Sequence, residues 1–135
     1  MALIFWDCPR VAADFMNEEH EIFVDLMNEA EDALTLGRFN LQHFRRLVQH
    51  CQEHFAHEER EMVRTGFPAY GCHKQEHDRV MTAMLELLSL YEDTENIAPL
   101  LEFVQDTLPE WFVRHISSMD KVTGEYLARH KTSAA

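Results

Sequence analysis

The chain has 135 residues, enough for about one domain with a buried core. Hydrophobic residues make up 46% of it, which excludes a disordered chain, and the net charge of −12 excludes a phosphate-neutralising nucleic-acid surface or an anionic membrane surface as partner. No apolar run reaches membrane-spanning length, and the start MALIFWDCPR lacks the basic region of a signal peptide. The odd set Cys8, Cys51 and Cys72 fits a reducing compartment, so a cytoplasmic protein is expected.

Apolar residues recur at helical spacing in four stretches. The first runs through Met16, Phe23, Met27, Ala30 and Leu34 and is expected to end at Gly37, since glycine suits the left-handed position that closes a helix. The second holds Phe44, Leu47, Val48, Cys51, Phe55 and Met62, enters through Asn40 as N-cap, and stops before Gly66 and Pro68. The third holds Val80, Met84, Leu87, Leu88 and Tyr91 and fades at EDTEN. The fourth holds Leu100, Leu101, Val104, Leu108, Trp111 and Phe112, then Val122, Tyr126 and Leu127. Pro109 interrupts it, and the missing N–H predicts a kink or a division there. Four long helices with short connections predict an all-α fold, an up-down-up-down antiparallel four-helix bundle. One domain is expected over 1–135, with a short N-terminal arm 1–12 ahead of the bundle 13–131.

The segment HCQEHFAHEE, residues 50–59, puts three histidines and three glutamates on the second helix. At 100° per residue, Glu58 lies roughly 40° and His54 roughly 80° from the centre of the apolar face. His50 and His57 lie beyond about 110°, and Glu53 points nearly opposite, so those three are read as solvated. Glu59 sits roughly 60° off on the other flank, and its angle leaves it undecided. His73 and His77 stand at i and i+4 in line with Val80 and Met84. His20 lies between Met16 and Phe23, and His115 follows Trp111 by one turn. Every helix therefore aims at least one histidine at the common core.

A single such residue reads most simply as a hydrogen-bonded core histidine. Five together would leave several buried donors and acceptors unpaired, at about 1–3 kcal/mol each, and a shared metal site resolves them at once. Histidine with carboxylate suits zinc, iron, manganese or copper, and the absence of paired cysteines excludes iron–sulfur and thiolate zinc sites. Five histidines exceed one ordinary site, so two ions are expected, bridged by Glu58 and a second carboxylate. No histidine has a glutamate three residues before it, which excludes the ferritin-like design built on Glu-x-x-His.

In order, the chain carries His20, then H-F-A-H-E with His54 and Glu58, then H-K-Q-E-H with His73 and His77, then H-I-S-S-M-D with His115 and Asp120. This order resembles the hemerythrin family over nearly the whole chain, Trp6 and Trp111 included. The resemblance implies a non-haem di-iron centre in the bundle core that binds dioxygen reversibly. Its cofactor would be two iron ions, Fe2+ or Fe3+, with a bridging oxo or hydroxo group. His73, His77 and His115 would hold one iron, His20 and His54 the other, with Glu58 and Asp120 bridging. One histidine fewer leaves the second iron a vacant position for dioxygen. The resemblance also implies an apolar dioxygen pocket, lined here by Phe23, Phe55, Trp111 and Ile116.

His115 and Asp120 are five residues apart, roughly 140° on a regular helix, so their convergence predicts a π-bulge between Ile116 and Asp120. The chain departs from the family where Asn17 replaces a frequent aspartate and where Phe112 and Ser118 replace aliphatic residues. A dioxygen carrier or store ranks first, because no appended domain for signalling is evident. Sensing of dioxygen, nitric oxide or redox state through the same centre is the alternative. A di-iron oxidase or peroxidase ranks below both, and no enzyme is expected, because no further acid or base stands beside the motifs. A protein partner for oxygen delivery is left open. His43 and His130, off the ligand spacing, are read as surface residues.

Overall fold

The computed structural model describes residues 9–130. Trp6, Cys8 and most of the expected arm lie outside those residues. Helix α1 spans Asp14–Thr35, α2 Leu41–Thr65 and α3 Tyr70–Thr94. A fourth rod is built from α4 (Ala98–Glu102), α5 (Leu108–His115) and α6 (Lys121–Arg129). Two wide π turns join its pieces, π1 at Phe103–Thr107 and π2 at Ile116–Asp120. Successive rods pack against each other and the fourth returns to α1 and α3, which makes the up-down-up-down bundle.

The ends follow from local chemistry. Gly37 at φ 68° and Gly66 at φ 69° adopt the left-handed conformation that closes α1 and α2. Arg38 N–H donates to Ala33 O and Phe67 N–H to Met62 O, which satisfies carbonyls the helices leave open. Asn40 caps α2 by accepting from Gln42 N–H, and its own N–H donates to His43 Nδ1 in a capping box. His43 thus has a structural role at the helix entrance. Asn96 accepts from Ala98 N–H at the start of the fourth rod.

Pro109 does not divide the fourth rod, which stays helical through it. The helix instead widens into π1 just before the proline. A proline ring crowds the carbonyl four residues back and offers no N–H to it, and a wide turn relieves both problems.

The main core joins Phe23, Met27 and Leu34 of α1 with Phe44, Leu47 and Phe55 of α2, Val80 and Met84 of α3, and Leu100, Leu108, Phe112 and Ile116 of the fourth rod. Each large side chain buried this way contributes about 1.5–3 kcal/mol. A smaller cluster of Ala13, Met16 and Leu127 sits at the other end. On α1 and on the fourth rod a layer of buried polar residues lies between the two clusters, in which His20 separates Met16 from Phe23 and Asp120 separates Ile116 from Leu127.

The chain entering α1 is tied down by Asn17. Its Oδ1 accepts from Val11 N–H at 2.9 Å while its Nδ2 donates to Val11 O at 2.8 Å. An aspartate could only accept, so asparagine suits this position. The same segment crosses the fourth rod at Gly124, where a Cβ would stand 3.2 Å from Val11 Cβ and 3.3 Å from Ala12 N. Among the described residues, no helix is long and apolar enough to cross a membrane.

Candidate metal centre

Four rods deliver seven polar side chains to one place. His20 comes from α1, His54 and Glu58 from successive turns of α2, and His73 and His77 from successive turns of α3. His115 ends α5 and Asp120 ends π2. The five-residue segment Ile116–Asp120 is the wide turn that the spacing requires, and it brings Asp120 Oδ1 to 3.1 Å from His115 Nε2. None of the seven is more than 5% exposed.

Their inward atoms form two groups that share both carboxylates. Glu58, His73, His77, His115 and Asp120 make one, and His20, His54, Glu58 and Asp120 make the other, each with its donor atoms within 4.8 Å of one another. Glu58 turns Oε1 toward His77 Nε2 at 3.1 Å and Oε2 toward His54 Nε2 at 3.0 Å. Asp120 turns Oδ1 toward His73 Nε2 at 3.0 Å and Oδ2 toward His20 Nε2 at 3.1 Å. Each carboxylate therefore offers one oxygen to each group, which is the shape of a bridge.

The separations fit metal coordination. Bonds of about 2.1 Å meeting at right angles put neighbouring donors about 3.0 Å apart. His73 Nε2 and His115 Nε2 also face each other at 3.1 Å. Both oxygens of Glu58, both ring nitrogens of His20, and His77 Nε2 are buried without a hydrogen-bond partner among the described residues. A cation in each group would satisfy both Glu58 oxygens, His20 Nε2 and His77 Nε2 together.

The outward ring nitrogens set the tautomers. His54 Nδ1–H donates to Glu19 Oε1 at 2.7 Å, and His77 Nδ1–H donates to Glu59 Oε2 at 2.9 Å. Carboxylates only accept, so a neutral ring must present its Nε2 lone pair inward, as a metal ligand does. His73 Nδ1 pairs with Thr123 Oγ1 at 2.8 Å, a hydroxyl that accepts Nδ1–H when Nε2 serves as a ligand.

Without a metal, those lone pairs would face carboxylate oxygens, and protons must fill the gap. Burial pushes His54 down, but the Glu58 charge beside it and hydrogen bonds to Glu19 and Glu58 outweigh that and raise it to about 10. Burial and the Asp120 charge push Glu58 up, but the His54 charge and the close approach of the His54 and His77 rings bring it to about 2. Burial likewise opposes ionisation of Asp120, and His115, His20 and His73 hold it well below the usual carboxylate range. The centre is built around positive charge supplied from elsewhere. Nitrogen and oxygen donors suit a non-haem transition metal, and no thiolate joins the cluster among the described residues.

Aromatic rings wall the two groups differently. Phe112 meets His20 edge-on with centroids 5.4 Å apart and stacks on Phe23 at 4.3 Å. Phe55 stacks on His77 at 4.0 Å and Trp111 on His115 at 4.5 Å. Ile116 is fully buried beside them, and Trp111 Nε1–H donates outward to Glu76.

Sequence reasoning missed part of the surround. Glu19 and Thr123 went unnoticed, and Glu59, undecided by its wheel angle, holds His77. His50 and His57 are not simply solvated: both are part-buried, His50 Nε2–H donating to Glu19 O at 2.8 Å and His57 Nδ1–H to Glu19 Oε2 at 2.7 Å. A wheel angle measures distance from the bundle axis and takes no account of the flank of a neighbouring helix. The available signal was chemical, since a buried His54 needs an acceptor at Nδ1 and α1 offers Glu19 beside His20. Glu53 does face outward, accepting from Gln49 on its own helix.

Comparison with known proteins agrees with this geometry. The family profile described as the hemerythrin HHE cation-binding domain matches residues 11–127. A bacteriohemerythrin of Methylococcus capsulatus is 27% identical over 135 residues, covering 95% of this chain and 99% of its own. One from Ralstonia nicotianae is 31% identical over 116 residues, covering 85% and 81%. Among solved structures, wild-type hemerythrin superposes with a TM-score of 0.79 at 23% identity, over 87% of this chain and 91% of that one. A hemerythrin point mutant gives 0.80 at 25% identity, over 95% and 99%. With a cation-binding profile spanning the four rods that build the buried cluster, the chain belongs to the hemerythrin family.

Proposed function

We propose that this protein binds dioxygen reversibly at a non-haem di-iron centre, as a carrier or store. In this reading His73, His77 and His115 hold one iron and His20 and His54 the other, with Glu58 and Asp120 bridging. The observation that carries it is the unequal donor set, three histidines against two around the same pair of carboxylates. With only His20 and His54 as nitrogen donors, that ion would be left a coordination position for dioxygen. Two ferrous ions would supply there the two electrons that dioxygen binding draws on.

The residues of this chain supply the rest. Glu19 and Glu59 fix two of the five imidazoles with their lone pairs inward, and Thr123 orients a third, which lowers the reorganisation needed when the centre is loaded. Phe23 and Phe112 close the His20 side with apolar rings, which keep bulk water and its protons from the open position. Full burial of Glu58 and near-full burial of Asp120 keep the two bridging charges strong.

Anaerobic reduction followed by admission of oxygen tests the proposal. A visible charge-transfer band that forms on oxygenation and disappears on evacuation, over repeated cycles, is expected. A transient band with peroxide release or substrate turnover would mean an oxidase or peroxidase instead.

A further inference from the structure

Among the described residues, three surface clefts that reach the ligand shell differ in the chemistry of their linings. The cleft at His73 is walled by Phe67, Met119 and Val122. The cleft at His115 carries the guanidinium groups of Arg79 and Arg114, and its one carboxylate, Glu76, is taken up by Arg79 and Trp111. The third, about 530 Å³ between α1 and α2, reaches His54 and is lined by Glu19, His50, Glu53 and His57, with Arg60 also on its wall.

The seven ligand side chains are at least 95% buried, so an ion must cross the shell to fill the centre. A dication entering through the first cleft would lose its water against only the hydroxyls of Ser118 and Thr123, which are already bonded to Arg114 O and His73 Nδ1. One entering through the second would meet two guanidinium charges. The third offers imidazoles and carboxylates, which are ordinary ligands for divalent transition metals. Two carboxylates in a walled cleft also raise the local cation concentration, against the single opposing charge of Arg60.

We infer that this α1–α2 cleft is the entry site for the divalent metal ions of the centre, which it captures as partly hydrated cations and passes inward through Glu19 and His54. The inference rests on reading the buried cluster as a metal centre. His50, His54 and His57 stand at i, i+4 and i+7 along α2, with the His50 and His54 rings near-parallel at 6.2 Å and 9°. His50 and His57 each commit one ring nitrogen to Glu19, leaving the other for a cation. Glu19 joins the outer layer to the inner one, with Oε2 on His57 and Oε1 on His54, both at 2.7 Å. The cleft donors are too spread out to form a closed cage, because only the two buried groups bring three donors within 4.8 Å among the described residues. Weak, stepwise holding suits transit, since an ion must leave as readily as it arrives.

The test follows cobalt(II) uptake by chelator-stripped full-length protein, through the visible absorption of the bound ion, with circular dichroism as a check on folding. Wild type should reach two ions per chain. His50→Gln/Glu53→Gln should slow uptake about tenfold and reach the same two ions. Release from the loaded protein to a chelator should slow by the same factor, because a route lowers the barrier in both directions and leaves the equilibrium alone. Arg114→Gln in the second cleft should load no more slowly than wild type. Uptake by His50→Gln/Glu53→Gln at the wild-type rate overturns the entry site while leaving the metal centre intact. Slower uptake with a lower final occupancy also overturns it, since these residues would then hold the centre instead of admitting to it. If wild type itself fails to reach two ions, the metal-centre reading fails first.

Discussion

Asp120 lies five residues beyond His115, yet its Oδ1 stands 3.1 Å from His115 Nε2, because the backbone between them takes one wide π turn. A regular helix would place the two side chains roughly 140° apart. In the proposed centre that extra residue would let one rod supply both a terminal donor and a bridging carboxylate. Asp120→Asn keeps the shape and removes the bridging charge, so the protein should fold with unchanged helix content and bind its second ion much more weakly. Metal analysis after dialysis checks this, and full occupancy in the variant would count against the bridge.

In the proposed centre the outward partners would act on different ions. Glu19→Gln should weaken the ion held by His20 and His54, and Glu59→Gln the ion held by the three-histidine group, each by about 10- to 100-fold. Competition titrations with a chelator separate the two ions by affinity. Equal effects of both variants on both ions would contradict the assignment of each carboxylate to its own group.

Stability without metal should depend on pH in a defined direction. His54, at about 10 against an ordinary 6.5, contributes fully below pH 6.5, and the contribution is lost as pH rises through 10. Glu58, at about 2 against 4.5, contributes above pH 4.5, and that contribution is lost as pH falls through 2. From these two groups the melting temperature of the metal-free protein should be highest between pH 4.5 and 6.5 and decline on either side. In the loaded protein His54 carries no ring proton at Nε2, so its melting temperature should hold between pH 6.5 and 10. Parallel declines of both forms over that interval would contradict the account.

Asn17 and Gly124 fasten the chain ahead of α1 and lie outside the ligand set. Asn17→Asp puts a carboxylate oxygen against Val11 O in place of an N–H donor, and should cost about 1–3 kcal/mol. Gly124→Ala forces a Cβ into contact with Val11 and Ala12 and should lower the melting temperature as well. Denaturant unfolding measures both, and metal stoichiometry should remain at the wild-type value.

Phe112→Leu opens space beside His20, where the ring now stacks on Phe23. It should cost about 1 kcal/mol of stability and speed both oxygen association and irreversible oxidation of the centre. Flash or stopped-flow kinetics read the first, and loss of the visible band over hours reads the second. Unchanged rates would place the access route elsewhere.

Much of this was legible in the sequence, for identifiable reasons. The helices follow from apolar spacing and from Asn40, Gly37 and Gly66, all of which act within a few residues along the chain. The convergence of His20, His54, His73, His77 and His115 follows because a buried imidazole shares its stripe with apolar neighbours. The π turn before Asp120 follows from one count of residues once the family resemblance puts His115 and Asp120 at the same centre. What stayed hidden depends on distant pairs. Glu19 and His54 are 35 residues apart, and His73 and Thr123 are 50 apart, so no local pattern marks Glu19 or Thr123 as a partner. Pro109 announced a disturbance but not its form, since a kink and a wide turn relieve the same clash.

The central claim is a pair of unlike ions sharing two carboxylates, and iron content combined with Mössbauer spectroscopy of the oxidised protein tests it most directly. Two irons per chain in distinct environments are expected, the three-histidine site differing from the two-histidine one. A single iron per chain, or two indistinguishable ones, would contradict it.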